Sequence, residues 1–249
     1  MEKSNDTPTF VTPQGRRIAY HLTDGTGPAV VFLGGFKSDM GGTKAVHLEA
    51  WAKSQGRAFL RFDYSGHGES SESFTDGCIG DWFEDAKAAL GLIAGQVVLV
   101  GSSMGGWISL LLARDMPTRI AGLVTIAAAP DFTEDSMWAG FDETQKAELA
   151  KGQVALPSDY GEPYIITKQL IEDGRNQLVL RMPLNLSFPT RFLQGTADKD
   201  VDMAVALRLL DHASGPDMQL TLVDGADHRF SESANLALIC SNVEEVIGA

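Results

Sequence analysis

The chain has 249 residues, of which 44% are hydrophobic and 21% are charged, and its formal net charge is −13. This composition is typical of a soluble globular protein with a sizeable core. The acidic balance argues against a nucleic-acid-binding surface, which needs clustered lysine and arginine, and against attraction to anionic membranes. Cys78 and Cys240 are far apart and lack the spacing of zinc ligands, so we expect neither a zinc site nor a disulfide framework. We also expect no other metal and no cofactor.

The N-terminal stretch, residues 1–12, is polar and carries charges of both signs. It has neither the apolar core of an export signal nor the arginine-rich amphipathic helix of an organelle import sequence. No run in the chain approaches the ~18 consecutive apolar residues that span a bilayer. We therefore expect a cytoplasmic protein without stable membrane insertion.

The first half of the chain alternates apolar strands with helices. Residues 29–33 are apolar on both faces, as a central parallel strand should be, and residues 15–22 predict a weaker strand. This alternation predicts an α/β fold whose doubly wound, mainly parallel sheet has right-handed crossovers. The other predicted elements of this half are helices over residues 43–54 and 79–93 and strands over residues 57–62 and 97–100.

A G-x-S-x-G motif at residues 101–105 joins the apolar strand 97–100 to a helix. A serine held in a sharp strand-to-helix turn needs small residues two positions before and two positions after it. Such a turn exposes the hydroxyl at the carboxyl end of the sheet, beside a helix N-terminus that favours negative charge. Because a pattern centred on Ser102 would need glycine at Val100, the predicted nucleophile is Ser103; a plain tight turn is the alternative.

The alternation breaks after a predicted strand over residues 120–128. Helices are predicted over residues 141–151 and 164–172, but no strong central strand follows until residues 190–193. We expect one α/β domain over residues 1–249, with a small helical cap inserted at about residues 131–188, hereafter the cap segment. Its large apolar residues either pack the cap onto the body or contact substrate, and the tentative substrate contacts are Trp138, Phe141 and Phe188. The later predicted elements are a helix over residues 201–212, a strand over residues 218–223 and a helix over residues 234–247.

A serine hydroxyl needs a base to take its proton, and the base needs a third group to fix its tautomer. After a nucleophile on this kind of turn, the acid and then the histidine follow along the chain. His228 lies in the loop after the last predicted strand, at the same sheet edge as Ser103, and is the predicted base. The other histidines precede the motif or close a predicted helix: His21, His47, His67 and His212.

The acid should also lie on a loop after a strand, and residues 194–201 supply two aspartates there. Asp200 directly precedes Val201 and could cap the coming helix, which explains it without catalysis. Asp198 has no comparable structural role, so Asp198 is the predicted acid and Asp200 the alternative.

An oxyanion hole needs two backbone N–H groups near the attacked carbonyl. Met104 directly follows the nucleophile, and Phe36 follows two glycines after the second strand, so these two N–H groups are the predicted donors. Two further glycine-rich stretches, residues 41–44 and 66–68, do not complete a phosphate-binding loop or a dinucleotide fingerprint.

With these motifs in place, the chain resembles an α/β-hydrolase, and within that superfamily the branch of the mitochondrial abhydrolase-domain-containing protein ten. The resemblance is carried by four segments that lie in residues 35–45, 61–66, 100–107 and 227–229. That branch removes S-palmitoyl groups from proteins and hydrolyses acyl glucuronides through a Ser–Asp–His triad. The resemblance therefore implies the same roles for Ser103, Asp198 and His228.

These observations favour a serine hydrolase that cleaves acyl esters or thioesters through an acyl-enzyme, acting on a small molecule or an acylated protein. The apolar cap segment suggests a hydrophobic acyl chain. The alternatives are a broad-specificity carboxylesterase, an aminopeptidase-like amidase, and a non-catalytic small-molecule receptor on the same fold.

Overall fold

A computed structural model describes residues 7–157 and 163–248. The strands are β1 (Thr9–Val11), β2 (Arg17–Thr23), β3 (Thr26–Leu33), β4 (Arg57–Phe62), β5 (Val97–Ser102), β6 (Ile120–Ile126), β7 (Gln153–Leu156), β8 (Tyr164–Thr167), β9 (Leu184–Asn185), β10 (Thr190–Gly195), β11 (Ala213–Ser214) and β12 (Met218–Val223). The helices are α1 (Thr43–Ser54), α2 (Ile79–Leu90), α3 (Met104–Asp115), α4 (Glu143–Ala150), α5 (Lys168–Asn176), α6 (Met203–His212) and α7 (Ser233–Gly248).

The central element is an eight-stranded sheet in the order β1-β2-β4-β3-β5-β6-β10-β12. All neighbouring pairs from β4 to β12 are parallel, whereas β2 pairs antiparallel with both β1 and β4. Because parallel strands need crossover connections, helices cover both faces of the sheet. The predicted α/β-hydrolase fold with a mainly parallel sheet is confirmed.

The sheet separates two hydrophobic cores, since successive side chains of a strand point to opposite faces. Val31 of β3 belongs to the core that contains Trp82 and Trp107 from α2 and α3. Its neighbour Val30 belongs to the second core, together with side chains of α1 and α7. The apolar run predicted for this strand is therefore buried on both sides.

The cap segment, between β6 and β10, contains short strands as well as helices, and the strands were not predicted. Residues 164–172 were predicted as one helix, but Tyr164–Thr167 forms strand β8, which pairs antiparallel with β7, and α5 begins only at Lys168. The aromatic and β-branched residues of β8 favour a strand, and the Thr167 side chain caps α5 by accepting a hydrogen bond from Leu170 N. Residues 158–162 of the predicted cap lie outside the described residues.

Helix α3 begins directly after Ser103 and carries ten buried residues, so it is held between the sheet and the cap segment. Its Trp107 indole N–H donates to the carbonyl of Gln177 in the cap segment at 3.0 Å. Over residues 7–157 and 163–248, we find no helix with the length and apolar character that a membrane crossing needs.

Candidate active site

Ser103 stands in a strained turn between β5 and α3. Its φ of 55° and ψ of −117° lie outside the regions that side chains ordinarily adopt. The flanking glycines make this turn possible: a Cβ at Gly105 would lie 2.1 Å from the Leu33 carbonyl oxygen, and one at Gly101 2.4 Å from the Gly105 oxygen. The Ser103 N–H donates to the Ile126 carbonyl at 2.9 Å, which fixes the turn to the end of β6.

The structure brings the three predicted catalytic side chains together at the carboxyl ends of the parallel strands. His228 Nε2 lies 3.1 Å from Ser103 Oγ, and His228 Nδ1 lies 2.9 Å from Asp198 Oδ2. These contacts suit an Nδ1–H tautomer, in which Nε2 is free to accept the serine proton. The three residues thus form one hydrogen-bonded chain, although Ser103 and His228 are 125 positions apart in the sequence.

Asp198 is held as a buried, fully hydrogen-bonded carboxylate. Its Oδ1 accepts the N–H groups of Asp200 and Val201, both at 2.9 Å, and its Oδ2 also accepts the Gln194 amide at 3.0 Å. Burial alone would raise the pKa of Asp198, but the hydrogen bonds from His228 and the two N–H groups outweigh it and lower that pKa. Asp198 therefore remains ionised beside the imidazole.

The helix-capping role predicted for Asp200 is wrong, because α6 begins two residues later than expected. Asp202 is the N-cap of α6, and its side chain accepts a hydrogen bond from Ala204 N at 2.7 Å. Asp200 contributes its backbone N–H to Asp198 instead.

The two predicted oxyanion donors belong to segments that adjoin Ser103: Met104 follows it in the chain, and Phe36 lines the same cavity. Met104 is the first residue of α3, where backbone N–H groups have no partner within the helix. Phe36 lies in a turn in which the Gly35 carbonyl accepts from Ser38 N and Ser38 Oγ, at 3.2 and 2.7 Å. Because a trans peptide points its C=O and N–H in opposite directions, the Phe36 N–H faces away from Ser38.

A cavity of about 1060 Å³ opens onto Ser103 and His228. The apolar residues that line it, hereafter called the apolar side, come from both the body and the cap segment: Phe36, Phe132, Met137, Leu156, Tyr164 and Val205. Polar and charged residues line it as well, among them Lys37, Lys44, Asp135, Asp200, Asp202 and Arg229.

The three tentative substrate contacts are not among the residues that line this cavity. Phe188 lines a second cavity together with Pro28 and Pro117, near the amino ends of the strands and so at the opposite edge of the sheet. Trp138 packs edge to face on Phe141, with the Arg175 guanidinium 4.7 Å from the Trp138 ring centre. From the cap segment, Phe132, Met137 and Tyr164 line the cavity instead, and the contact of Trp138, Phe141 and Phe188 with substrate stays a prediction.

Lys44 is a site residue to which sequence reasoning gave no role. Its ammonium donates to the carbonyl of Arg229, directly after the predicted base. Burial lowers the pKa of Lys44 to about 8, although the nearby Asp227 carboxylate acts in the opposite direction. The sequence signal that could have pointed to Lys44 is its position in residues 35–45, one of the segments that carry the family resemblance.

Asp198, Asp200 and His228 are the group of described residues that could offer metal ligands, since their ligand atoms lie within 4.8 Å of one another. The imidazole and the Asp198 carboxylate are bonded to each other, and the second Asp198 oxygen already accepts two N–H groups. These atoms are therefore engaged in the serine site itself. The sequence prediction of no metal and no cofactor stays a prediction.

Comparison with known proteins gives the class of the molecule. The profile of the α/β hydrolase fold family matches residues 28–161, more than half of the chain. The chain belongs to the α/β hydrolase fold family. Its similarity to thioesterases of this family identifies it as an ester or thioester hydrolase.

Within this family the chain is similar to a named group of enzymes. It is 34% identical over 238 residues to rat palmitoyl-protein thioesterase ABHD10, mitochondrial, an alignment that covers 94% of this chain and 80% of the rat protein. The structure of mouse α/β hydrolase domain-containing protein 10 has a TM-score of 0.90 at 32% identity, covering 98% of both chains. A protein of Agrobacterium vitis S4 assigned as a hydrolase has a TM-score of 0.93 at 40% identity, covering 97% of this chain and 98% of that one.

The predicted cytoplasmic location is wrong. The rat relative is named as a mitochondrial protein, and so are those from mouse, cattle, orangutan and human. The prediction rested on the polar character of residues 1–12, and that character does not determine where the protein resides.

Proposed function

We propose that the protein is a serine hydrolase of acyl thioesters and esters in which Ser103, His228 and Asp198 act as nucleophile, base and orienting acid. The observation that carries the proposal is the continuous hydrogen-bonded chain from Ser103 Oγ through the His228 imidazole to Asp198. Nucleophile, base and acid in this mutual geometry are typical of acyl transfer, on this fold and on others.

The reaction begins when His228 Nε2 takes the proton of Ser103 Oγ as the oxygen attacks the acyl carbonyl. The N–H groups of Phe36 and Met104 stabilise the negative oxygen of the tetrahedral intermediate, and each such donor contributes roughly 3–4 kcal/mol. The imidazolium, stabilised by the Asp198 carboxylate, then protonates the leaving thiol or alcohol. Water attacks the acyl-enzyme by the reverse route and releases the acid.

The apolar side of the cavity suits the acyl chain of the substrate. The Phe36 ring packs against the rings of Phe132 and Tyr164, with centres 5.6 and 6.0 Å away, and Met137 and Leu156 also line the cavity. Burying such a chain contributes about 0.8 kcal/mol for each CH₂ group. The relatives named palmitoyl-protein thioesterases favour a long acyl chain carried by a protein. The proposal keeps the chain as one α/β-hydrolase domain with the cap segment as an insertion.

The test compares the wild type with Ser103→Ala on p-nitrophenyl butyrate and on a palmitoyl thioester. We expect Ser103→Ala to lower kcat on both substrates about 10⁴-fold or more, because the nucleophile is lost. Ser102→Ala is the matched control, since it removes the adjacent hydroxyl and should retain turnover. A Ser103→Ala variant with wild-type turnover would refute the proposal.

The same assay separates the competing substrate classes. Faster turnover of the palmitoyl thioester than of a short ester supports the apolar side as an acyl site, and the reverse order favours a broad carboxylesterase. Preferential cleavage of an aminoacyl amide would indicate an amidase. Tight ligand binding without any product would indicate a receptor.

A further inference from the structure

The predicted oxyanion donor Phe36 belongs to a turn that is strained. The Ser38 N–H donates to the Gly35 carbonyl at 3.2 Å, which closes a β-turn over residues 35–38. Lys37, its third residue, has a φ of +58°, a conformation that glycine adopts readily and lysine does not. A residue held in this region costs on the order of 1 kcal/mol or more, so contacts from outside the turn must hold it there.

His67 supplies such a contact from the loop that follows β4. The backbone N–H of Lys37 donates to His67 Nε2 at 3.2 Å. On the other side of the ring, Nδ1–H donates to the Ser65 carbonyl at 3.1 Å. Together the two bonds require the neutral Nδ1–H tautomer, because a proton on Nε2 would face the Lys37 N–H.

The imidazole is fixed in place by the residues around it. It is buried, and it packs edge to face against the rings of Tyr64, Phe74 and Trp82, with ring centres 5.1–5.6 Å away. The Ser65 carbonyl that it contacts also accepts the Trp82 indole N–H at 3.0 Å.

Two charged side chains, Asp85 and Lys37, belong to the surroundings of the His67 imidazole. Asp85 is buried and accepts from both Ser65 N and Ser65 Oγ, and its other oxygen binds Arg16. Burial lowers the pKa of His67, which outweighs the opposite effects of the Ser65 carbonyl and the Asp85 charge. The Lys37 ammonium lies over the Phe74 and Tyr164 rings, which also anchors this residue of the turn.

We infer that His67 is a positioning residue for the oxyanion hole: its Nε2 holds the Lys37 N–H and so fixes the Phe36 peptide beside Ser103. The inference rests on the proposed function, since it concerns the same hydrolytic site. Gly35 lies directly against the nucleophile, because a Cβ built there would be 3.3 Å from Ser103 Cβ. A rotation of the turn therefore moves the Phe36 N–H relative to the attacked carbonyl.

The experiment measures the ratio of kcat/KM for an ester to that for the matching thiono ester, p-nitrophenyl butyrate against its C=S analogue. Sulfur accepts hydrogen bonds poorly, so an intact oxyanion hole favours the oxygen substrate. His67→Phe keeps an aromatic ring without an acceptor, and it should lower the ratio about tenfold, a part of the 10²–10³ that a whole donor contributes. His67→Gln offers an oxygen in place of Nε2 and should retain a ratio within about twofold of the wild type.

A merely structural role for His67 would lower both rates together and leave the ratio unchanged, and that result would overturn the inference. Circular dichroism melts establish that the variants are folded. If His67→Phe does not fold, the ¹⁵N shifts of the ring in the wild type decide: a neutral Nδ1–H ring supports the inference, and a proton on Nε2 overturns it. Failure of the proposed function is distinct, because the wild type itself would then leave the oxygen ester uncleaved.

Discussion

At the scale of single residues, the site concentrates backbone conformations that its side chains do not favour. Positive φ values occur at Lys37, Ser103, Ala127 and Phe230, all of them in loops at the carboxyl edge of the sheet. Each is held by a hydrogen bond of its own N–H, as Ala127 N is by the Leu193 carbonyl at 2.8 Å. Such strain persists only where the surroundings determine the conformation, and here it places Ser103 and both predicted oxyanion donors.

The glycine two positions after the nucleophile gives a direct test of this strain. A Cβ at Gly105 would lie 2.1 Å from the Leu33 oxygen and 2.6 Å from the Gly34 oxygen, and both are backbone atoms that cannot rotate away. We expect Gly105→Ala to lower the free energy of unfolding by about 3 kcal/mol and to abolish esterase activity, because β3 and its loop must shift.

Gly140→Ala is the matched control, since a Cβ there would have nothing within 4 Å. Urea titration and ester turnover measure both variants. Wild-type stability together with wild-type activity in Gly105→Ala would show that the turn tolerates a side chain.

At the scale of elements, the sequence predicted the strands and helices of the body well. A buried parallel strand followed by a loop is readable from an apolar run, and the carboxyl ends of parallel strands meet at one edge. That rule, together with the chain order of nucleophile, acid and histidine, predicts that Ser103, Asp198 and His228 meet. The body helices differ from their predicted bounds by three residues or fewer at either end.

The cap segment was harder to predict, for a physical reason. Strand β8 is stabilised by hydrogen bonds to β7, and the hydrophobic pattern of the four residues Tyr164–Thr167 does not predict this pairing. The packing of the cap also decides which aromatic residues line the cavity. The sequence alone therefore does not show that Phe132 and Tyr164 line it whereas Trp138 and Phe141 pack on each other. His67 was set aside because it precedes the nucleophile, a rule that applies to the base and not to residues that support it.

A charged cluster joins three elements of the body beneath the site. Glu49 of α1 accepts from Thr23 of β2 at 2.9 Å, from Arg61 of β4 at 2.8 Å, and pairs with Lys53 at 3.0 Å. Burial would raise the pKa of Glu49, but these three partners outweigh it and lower the pKa to about 2. Arg61 also donates to the Met40 carbonyl, so the cluster supports the loop that carries Phe36.

We expect Glu49→Gln to lower the free energy of unfolding at pH 7 by about 2–3 kcal/mol, as the lowered pKa implies. A carboxylate whose pKa is lowered on folding contributes stability above its unfolded value of 4.5, and this contribution is lost as the pH falls towards 2. The difference between variant and wild type should therefore shrink between pH 4.5 and 2 in urea titrations. A difference that stays constant over this range would contradict the assignment.

At the scale of the whole molecule, the site is assembled from both halves of the chain and covered by the cap segment. Asp131, fully buried, accepts from the N–H groups of Val179 and Leu180, and Arg181 bridges it to Asp135. Asp135 in turn binds Arg208 of α6 at 2.7 Å, which ties the cap segment to the body. The cavity wall therefore depends on contacts that cross between cap and body.

The central claim is that the Ser103 hydroxyl, activated by His228 and Asp198, becomes covalently acylated during turnover. It is tested most directly by reacting the folded protein with a fluorophosphonate and mapping the adduct by peptide mass spectrometry. We predict a single adduct on Ser103, absent in Ser103→Ala and after denaturation of the wild type. An unlabelled folded protein, or an adduct on a different residue, would contradict the account.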